Sequence, residues 1–234
     1  MIKEKSIINL AFKNFKSIPK IDLEEGECYI FCYTREISIS QDTFEYYLNF
    51  LPDLYKQKVL RYRLWNDRCN CLFGKLIIMM GASIFNYNLF EFQELLYSPY
   101  GKPYLLDSPF HFNISHSGKT VVCVFSKHNI GIDIEEINEI DYMDFENVFT
   151  PRELLLISEK GPDKFFEFWT KKESAIKAIG KGMSIPLLEI EVDRSHMIYD
   201  SNEWYIKSFK LSGKYCSITS NYNNIAQKQV QVNF

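Results

Sequence analysis

Ile130, Ile132 and Ile134 alternate with Gly131, Asp133 and Glu135. A period of two is the signature of a strand, here with isoleucines on one face and both carboxylates on the other. Two carboxylates on a strand face are often no more than a solvated edge. The isoleucine face argues for a buried strand, whose charged side must then meet something. Gly131 in addition allows close approach by a ligand.

Further along, Phe168-Trp169-Thr170-Lys171-Lys172-Glu173-Ser174-Ala175-Ile176-Lys177 reads as a helix. Glu173 and Lys177 then lie one turn apart on a single face. The bland reading is an exposed pair contributing about 0.2–0.5 kcal/mol. Trp169 and Ile176 belong to the core stripe, which directs Glu173 and Lys177 towards a neighbouring element such as the acidic strand. Three carboxylates and a lysine at one spot suit a hard divalent cation and a phosphate-bearing ligand.

The 234 residues make one large domain or two small ones. Hydrophobic content of 46% and charged content of 24% are those of a soluble globular chain. A net charge of −3 carries no signature of a general nucleic-acid binder. Cys28, Cys32, Cys69, Cys71, Cys123 and Cys216 form no CxxC pair, and no histidine stands at zinc-ligand spacing from them. Reduced thiols follow. Met1 to Lys20 lacks a signal-peptide core, and the longest apolar stretch, Leu76 to Ala82, is too short to cross a bilayer. The expected location is the cytoplasm.

Along the chain, Cys28 to Tyr33 reads as a strand, Thr43 to Phe50 as a short helix, and Pro52 opens a helical segment through Lys58 and Arg61. A long helix is expected from about Asn66 to Ser83. Phe110 to Ile114 and Thr120 to Phe125 read as strands joined by the turn Ser115-His116-Ser117-Gly118-Lys119. Thr150-Pro151-Arg152-Glu153 has the form of a capping box with proline at the first helical position. Pro162 to Ile179 forms the second long helix, and Gly180 and Gly182 can end it. Leu187 to Val192, Trp204 to Leu211, Tyr215 to Thr219 and Gln227 to Phe234 are strand-like. Each half therefore holds strands and one long helix, an α+β organisation with halves at 1–126 and 127–234.

Ser115-His116-Ser117-Gly118 is either a simple turn or a phosphate cradle, since its imidazole, hydroxyls and backbone N–H groups can all donate. Lys102, in a Gly-Lys-Pro turn, adds a cation to the inventory, although a lone turn lysine is usually solvated surface.

Four motifs occur in order: Gly101-Lys102-Pro103, Phe112-Asn113-Ile114-Ser115-His116-Ser117-Gly118, Gly131-Ile132-Asp133-Ile134-Glu135 and Trp169-x-x-Lys172-Glu173-Ser174-x-x-Lys177. Their order and spacing resemble the 4′-phosphopantetheinyl transferases of the larger, surfactin-synthetase-activating type, strongly between about Pro99 and Leu188. The resemblance implies a pseudo-dimer of two α+β halves with coenzyme A and Mg²⁺ bound between them. It implies Asp133, Glu135 and Glu173 as magnesium ligands and Lys177 on the pyrophosphate. His116 with Ser115 would contact the adenosine 3′-phosphate region, Lys102 would line the coenzyme site, and Lys58 and Arg61 would supply N-terminal basic contacts. The catalytic set so implied is Glu173, Lys177 and His116. One position departs from the family pattern: an arginine common four residues before Gly74 is Asn70 here, with Arg68 two positions earlier.

The implied reaction moves the 4′-phosphopantetheine arm of coenzyme A to a serine of an acyl or peptidyl carrier protein. The carrier would dock on Ile176 to Leu187, using Lys177, Lys181, Met183 and Ile185. A monomer with neither nucleic-acid nor membrane partner is expected. Two other readings stand beside it: a metal-dependent nucleotide pyrophosphate hydrolase, and a non-catalytic carrier-binding module.

Overall fold

The α+β architecture expected from the sequence is the one observed in the computed structural model, which describes residues 7–18, 20–35, 38–87, 95–192 and 194–234. The first part of the chain carries β1 (Ile7–Ala11), β2 (Glu27–Thr34), α1 (Gln41–Leu48), α2 (Asp53–Leu60) and α3 (Trp65–Ile84). Next come β3 (Leu96–Tyr97), β4 (Pro103–Tyr104), β5 (His111–Ser117), β6 (Thr120–Ser126) and β7 (Ile130–Glu135). The remainder holds α4 (Pro151–Lys160), α5 (Pro162–Ile179), β8 (His196–Tyr199), β9 (Asn202–Leu211), β10 (Lys214–Ser220) and β11 (Ala226–Asn233).

Two main sheets result. One has the strand order β1-β11-β2-β6-β5 and the other β7-β10-β9-β8. β11 runs parallel to both of its neighbours and lies between them. The strand expected to close the second half thus sits inside the sheet of the first, and only the preceding strands divide near residue 127. α3 covers the first sheet with Phe73, Leu76, Ile77 and Met80, all fully buried. α5 covers the second sheet with Phe165, Phe168, Ala175 and Ile176.

β5 and β7 are edge strands of different sheets, yet they lie side by side. Side chains make the junction: Asn113 Oδ1 accepts from Ile132 N at 3.0 Å, and Ser117 Oγ accepts from Glu136 N at 3.0 Å. These bonds satisfy backbone donors that an edge strand would otherwise leave open.

Two expectations are corrected. β5 continues through Ser117, so the polar turn contracts to Gly118 and Lys119; alternation sends Ser115 and Ser117 one way and His116 the other. Leu187 to Val192 is not a strand but begins with a short 3₁₀ turn at Leu187–Glu189. The cause is Lys172, fully buried on α5, whose amine donates to Leu187 O at 3.0 Å and Ile190 O at 2.5 Å. Those carbonyls are thereby removed from any ladder.

The capping box forms as expected. Thr150 Oγ1 accepts from Glu153 N, and Glu153 Oε2 accepts from Thr150 N. The same carboxylate pairs with Lys172 at 2.9 Å and accepts from Val192 N through Oε1. One acidic residue therefore ties α4, α5 and the following loop together. Among the described residues, no helix is long and apolar enough to cross a membrane.

Candidate active site

α5 lies hard against β7 because residue 131 is glycine. A Cβ there would stand 2.1 Å from Ser174 O and 2.4 Å from Ala178 N. Hydroxyl pairs hold the helix at that spacing: Thr170 with Ser217 and Ser174 with Thr219, each at 2.8 Å. Both pairs are buried, so the helix face that meets the sheet is polar but satisfied.

This approach brings Lys177 over the carboxylate face of β7. Its amine donates to Asp133 Oδ1 at 2.6 Å and to Ser115 Oγ at 3.0 Å, while Ser115 donates to the same Oδ1 at 2.8 Å. Ser117 donates to Glu135 Oε2 at 2.8 Å. Asp133 is 2% exposed, and its Oδ2 is a buried acceptor with no partner among the described residues.

Burial, reinforced by the Asp133 charge, pushes the Glu135 carboxyl up to about 7. Burial also raises Glu173, with Asp133 again adding to the effect against the pull of Lys177. Three carboxylates thus lie within electrostatic reach of one another and of the Lys177 ammonium. No ready-made cluster of three histidine, cysteine or acidic side chains that could hold a metal ion is found among the described residues. Lys177 stands on Asp133 instead. The donor set nevertheless fits a hard divalent cation: oxygen ligands, an open carboxylate oxygen, and carboxyls whose ionisation a cation would favour.

Two clefts open beside these residues. The first, about 280 Å³, is lined by Tyr100, Lys102, Asn113, Glu173, Lys177 and Met183 among others. The second, about 400 Å³, is lined by Tyr62, Asp67, Asn70, Cys71, Lys75 and His116 among others. Pro103 and Ile114 line both, so the clefts share a wall.

The other expected residues divide between these clefts. His116 faces the second, where burial first and then the Lys177 charge lower its basicity. Ser115 points away from it, towards Asp133. Lys102 reaches the end of α5, donating to Ala178 O at 2.9 Å and more weakly to Ile130 O. It caps the last helical turn, and burial lowers its amine to about 8. Lys58 stands over the ring of Tyr97, 4.5 Å from the centroid, at the rim of the second cleft. Arg61 is the exposed C-cap of α2, and no side-chain contact ties it to either cleft among the described residues. In the segment expected to dock the carrier, Met183 is 77% exposed, whereas Ile185 is buried in the core beneath α5.

Several residues escape the sequence reading. Lys75 lines the second cleft, its amine lowered by burial and set 5.3 Å from the Tyr55 ring centroid. The available signal was a lysine interrupting the apolar run of α3. Ser117 orients Glu135, a role legible only once β5 is seen to extend through it. At Asn70, where the family pattern has arginine, the side chain accepts from Arg35, the residue after β2, at 2.7 Å. A guanidinium reaches this neighbourhood by another route.

An α+β protein with a carboxylate-and-lysine site at the seam of two sheets is suited to handling a phosphate-bearing ligand. The sequence profile of the 4′-phosphopantetheinyl transferase superfamily matches residues 129–227. The chain is 37% identical over 198 residues to 4′-phosphopantetheinyl transferase gsp of Aneurinibacillus migulanus, covering 76% of this chain and 80% of the relative. It is 33% identical over 196 residues to 4′-phosphopantetheinyl transferase Sfp of Bacillus subtilis (strain 168), covering 76% and 84%. A shorter match, 39% over 114 residues, joins 39% of this chain to 44% of the L-aminoadipate-semialdehyde dehydrogenase-phosphopantetheinyl transferase of Schizosaccharomyces pombe. This chain belongs to the 4′-phosphopantetheinyl transferase superfamily.

Proposed function

We propose that this protein is a Mg²⁺-dependent transferase that moves the 4′-phosphopantetheine arm of coenzyme A to a serine of an acyl or peptidyl carrier protein. The observation that carries the reading is the Lys177–Asp133 pair at 2.6 Å beside a carboxylate oxygen without a partner among the described residues, in a chain of this family. The serine oxygen bonds to the β-phosphorus of coenzyme A as the pyrophosphate P–O bond breaks. 3′,5′-ADP leaves with the electron pair.

Asp133, Glu135 and Glu173 would hold the cation, which when bound neutralises charge on the pyrophosphate. Lys177, with its side chain 27% exposed, is placed to offer the same group a fixed ammonium. Glu173 borders the first cleft and is made more basic by burial, so it accepts the serine proton directly or through water. His116 and Lys75 face the second cleft, where Lys58 stands at the rim, and together they suit the nucleotide end of coenzyme A. The carrier docks on Ile176 to Leu187, with Met183 as its apolar contact and Lys181, paired with the exposed Asp200, as the cation it meets. The protein acts in the cytoplasm as a monomer whose halves, 1–126 and 127–234, enclose the site, the second half lending β11 to the first sheet.

The test is the intact mass of an apo carrier protein after incubation with this protein, coenzyme A and Mg²⁺, with an EDTA control. A metal-dependent gain of one phosphopantetheine is expected. Coenzyme A consumed without carrier gain would point to hydrolysis instead, and binding without turnover to a non-catalytic module. Glu173→Gln should lower kcat by at least about 100-fold, the lower bound for a positioned proton acceptor.

A further inference from the structure

Arg35, at the end of β2, is 5% exposed and has no carboxylate partner among the described residues. A buried guanidinium without a counter-ion is costly unless its donors are committed. Here one terminal nitrogen, Nη2, serves two carboxamides, donating to Asn66 Oδ1 and to Asn70 Oδ1 at 2.7 Å, while the buried Nε finds no partner among the described residues. The two asparagines sit one turn apart at the start of α3. Both then donate through Nδ2 to a single acceptor, Gly118 O, at 3.0 and 3.1 Å.

The relay ends on the β5–β6 turn, which other groups also grip. Arg35 N donates to Lys119 O at 3.1 Å, and the Thr34 and Thr120 hydroxyls lie 3.0 Å apart. From the opposite side the Glu136 carboxylate covers Gly118, where a Cβ would lie 2.2 Å from Oε1 and where φ is +56°. The residues immediately before this turn are His116, which faces the second cleft, and Ser117, which orients Glu135. Polarisation along the chain makes each carboxamide a stronger donor than a neutral amide alone.

We propose that Arg35 is a positioning residue for the nucleotide cleft. Acting through Asn66 and Asn70, it fixes the β5–β6 turn and so sets His116 and Ser117. It touches neither substrate nor cation. The inference rests on the reading of coenzyme A as the ligand of these clefts.

The experiment compares Arg35→Ala, Arg35→Lys and the exchange variant Arg35→Ala/Asn70→Arg with the unaltered chain. Coenzyme A affinity, KM and kcat, and hydrogen exchange across residues 115–120 are measured for each. In Arg35→Ala the Kd and KM for coenzyme A should rise about tenfold, on the scale of one lost charged hydrogen bond, with kcat changed less than about twofold. Exchange at 115–120 should quicken. Arg35→Lys keeps the charge but loses the fork, so it should fall between the two and remains informative if the alanine variant folds poorly. The exchange variant lets a guanidinium at position 70 donate directly to Gly118 O, and it should recover most of the affinity. A fall in melting temperature or active fraction with KM and exchange unchanged would overturn the proposal, as would an exchange variant no better than Arg35→Ala. Should the unaltered chain bind no coenzyme A, the functional reading fails. The positioning claim is then decided by exchange at 115–120, quickened or unchanged.

Discussion

Lys177 donates to Asp133 Oδ1 at 2.6 Å, while the other oxygen of the same carboxylate is buried without a partner among the described residues. The pair is asymmetric: the lysine side chain is 27% exposed and the aspartate side chain 4%. Removing the lysine strands a charge that water cannot reach. Lys177→Met should therefore destabilise the fold by about 3 kcal/mol, the low end for a broken buried pair. Mg²⁺ should restore more stability to this variant than to the unaltered chain, because a cation that binds the folded state alone shifts the equilibrium by mass action. Urea unfolding with and without MgCl₂ checks both statements.

Gly131→Ala should be worse than its single added methyl suggests. The new carbon would meet Ser174 O and Ala178 N, which are backbone atoms and cannot swing aside as a side chain would. α5 must lift, stretching the Thr170–Ser217 and Ser174–Thr219 bonds. A loss of at least about 2 kcal/mol is expected, together with a fall in transfer rate as Glu173 and Lys177 move away from β7. Melting temperature and turnover, measured on one preparation, test this.

Lys102 gives the fold a distinct alkaline response. Burial lowers its amine to about 8 from an ordinary 10.5. Between those two values the unfolded chain binds more protons than the folded one, so this residue makes stability rise with pH there. Below 8 both states are charged and its cost is present in full. The unfolding free energy of the unaltered chain minus that of Lys102→Met should therefore climb between pH 8 and 10.5. A flat or falling difference would refute the assignment.

Lys172 and Glu153 are 0% and 1% exposed. Lys172→Met leaves the Glu153 charge buried and frees the carbonyls of Leu187 and Ile190. The expected cost is about 3–5 kcal/mol. Hydrogen exchange should quicken first in the loop after α5, while the first sheet keeps its protection.

Much of this was legible in the residues. The alternation at Ile130 to Glu135, the helix bearing Glu173 and Lys177, and the capping box at Thr150 each depend on local periodicity or local hydrogen bonding, and each appears where expected. What escaped depends on partners distant in sequence. Ser117 looks like a turn residue until Glu135, on another strand, accepts a hydrogen bond from its hydroxyl. Leu187 to Val192 has the composition of a strand, and only the buried amine of Lys172 diverts its carbonyls. Arg35 has no local pattern at all, because its partners lie on a helix some thirty residues away. Motif order carries the site, whereas the groups that orient the site are set by tertiary contact.

β11 has a consequence for the order in which the molecule can be made. It lies between β1 and β2, and Lys228 meets Glu27 across a sequence separation of 201 residues. Until residues 226–233 have left the ribosome, β1 has no partner in the sheet and one edge of β2 stands open. The first sheet is thus the earliest to begin and the last to close. Its completion is a long-range pairing that requires α5 and β7 to β10 to have been synthesised.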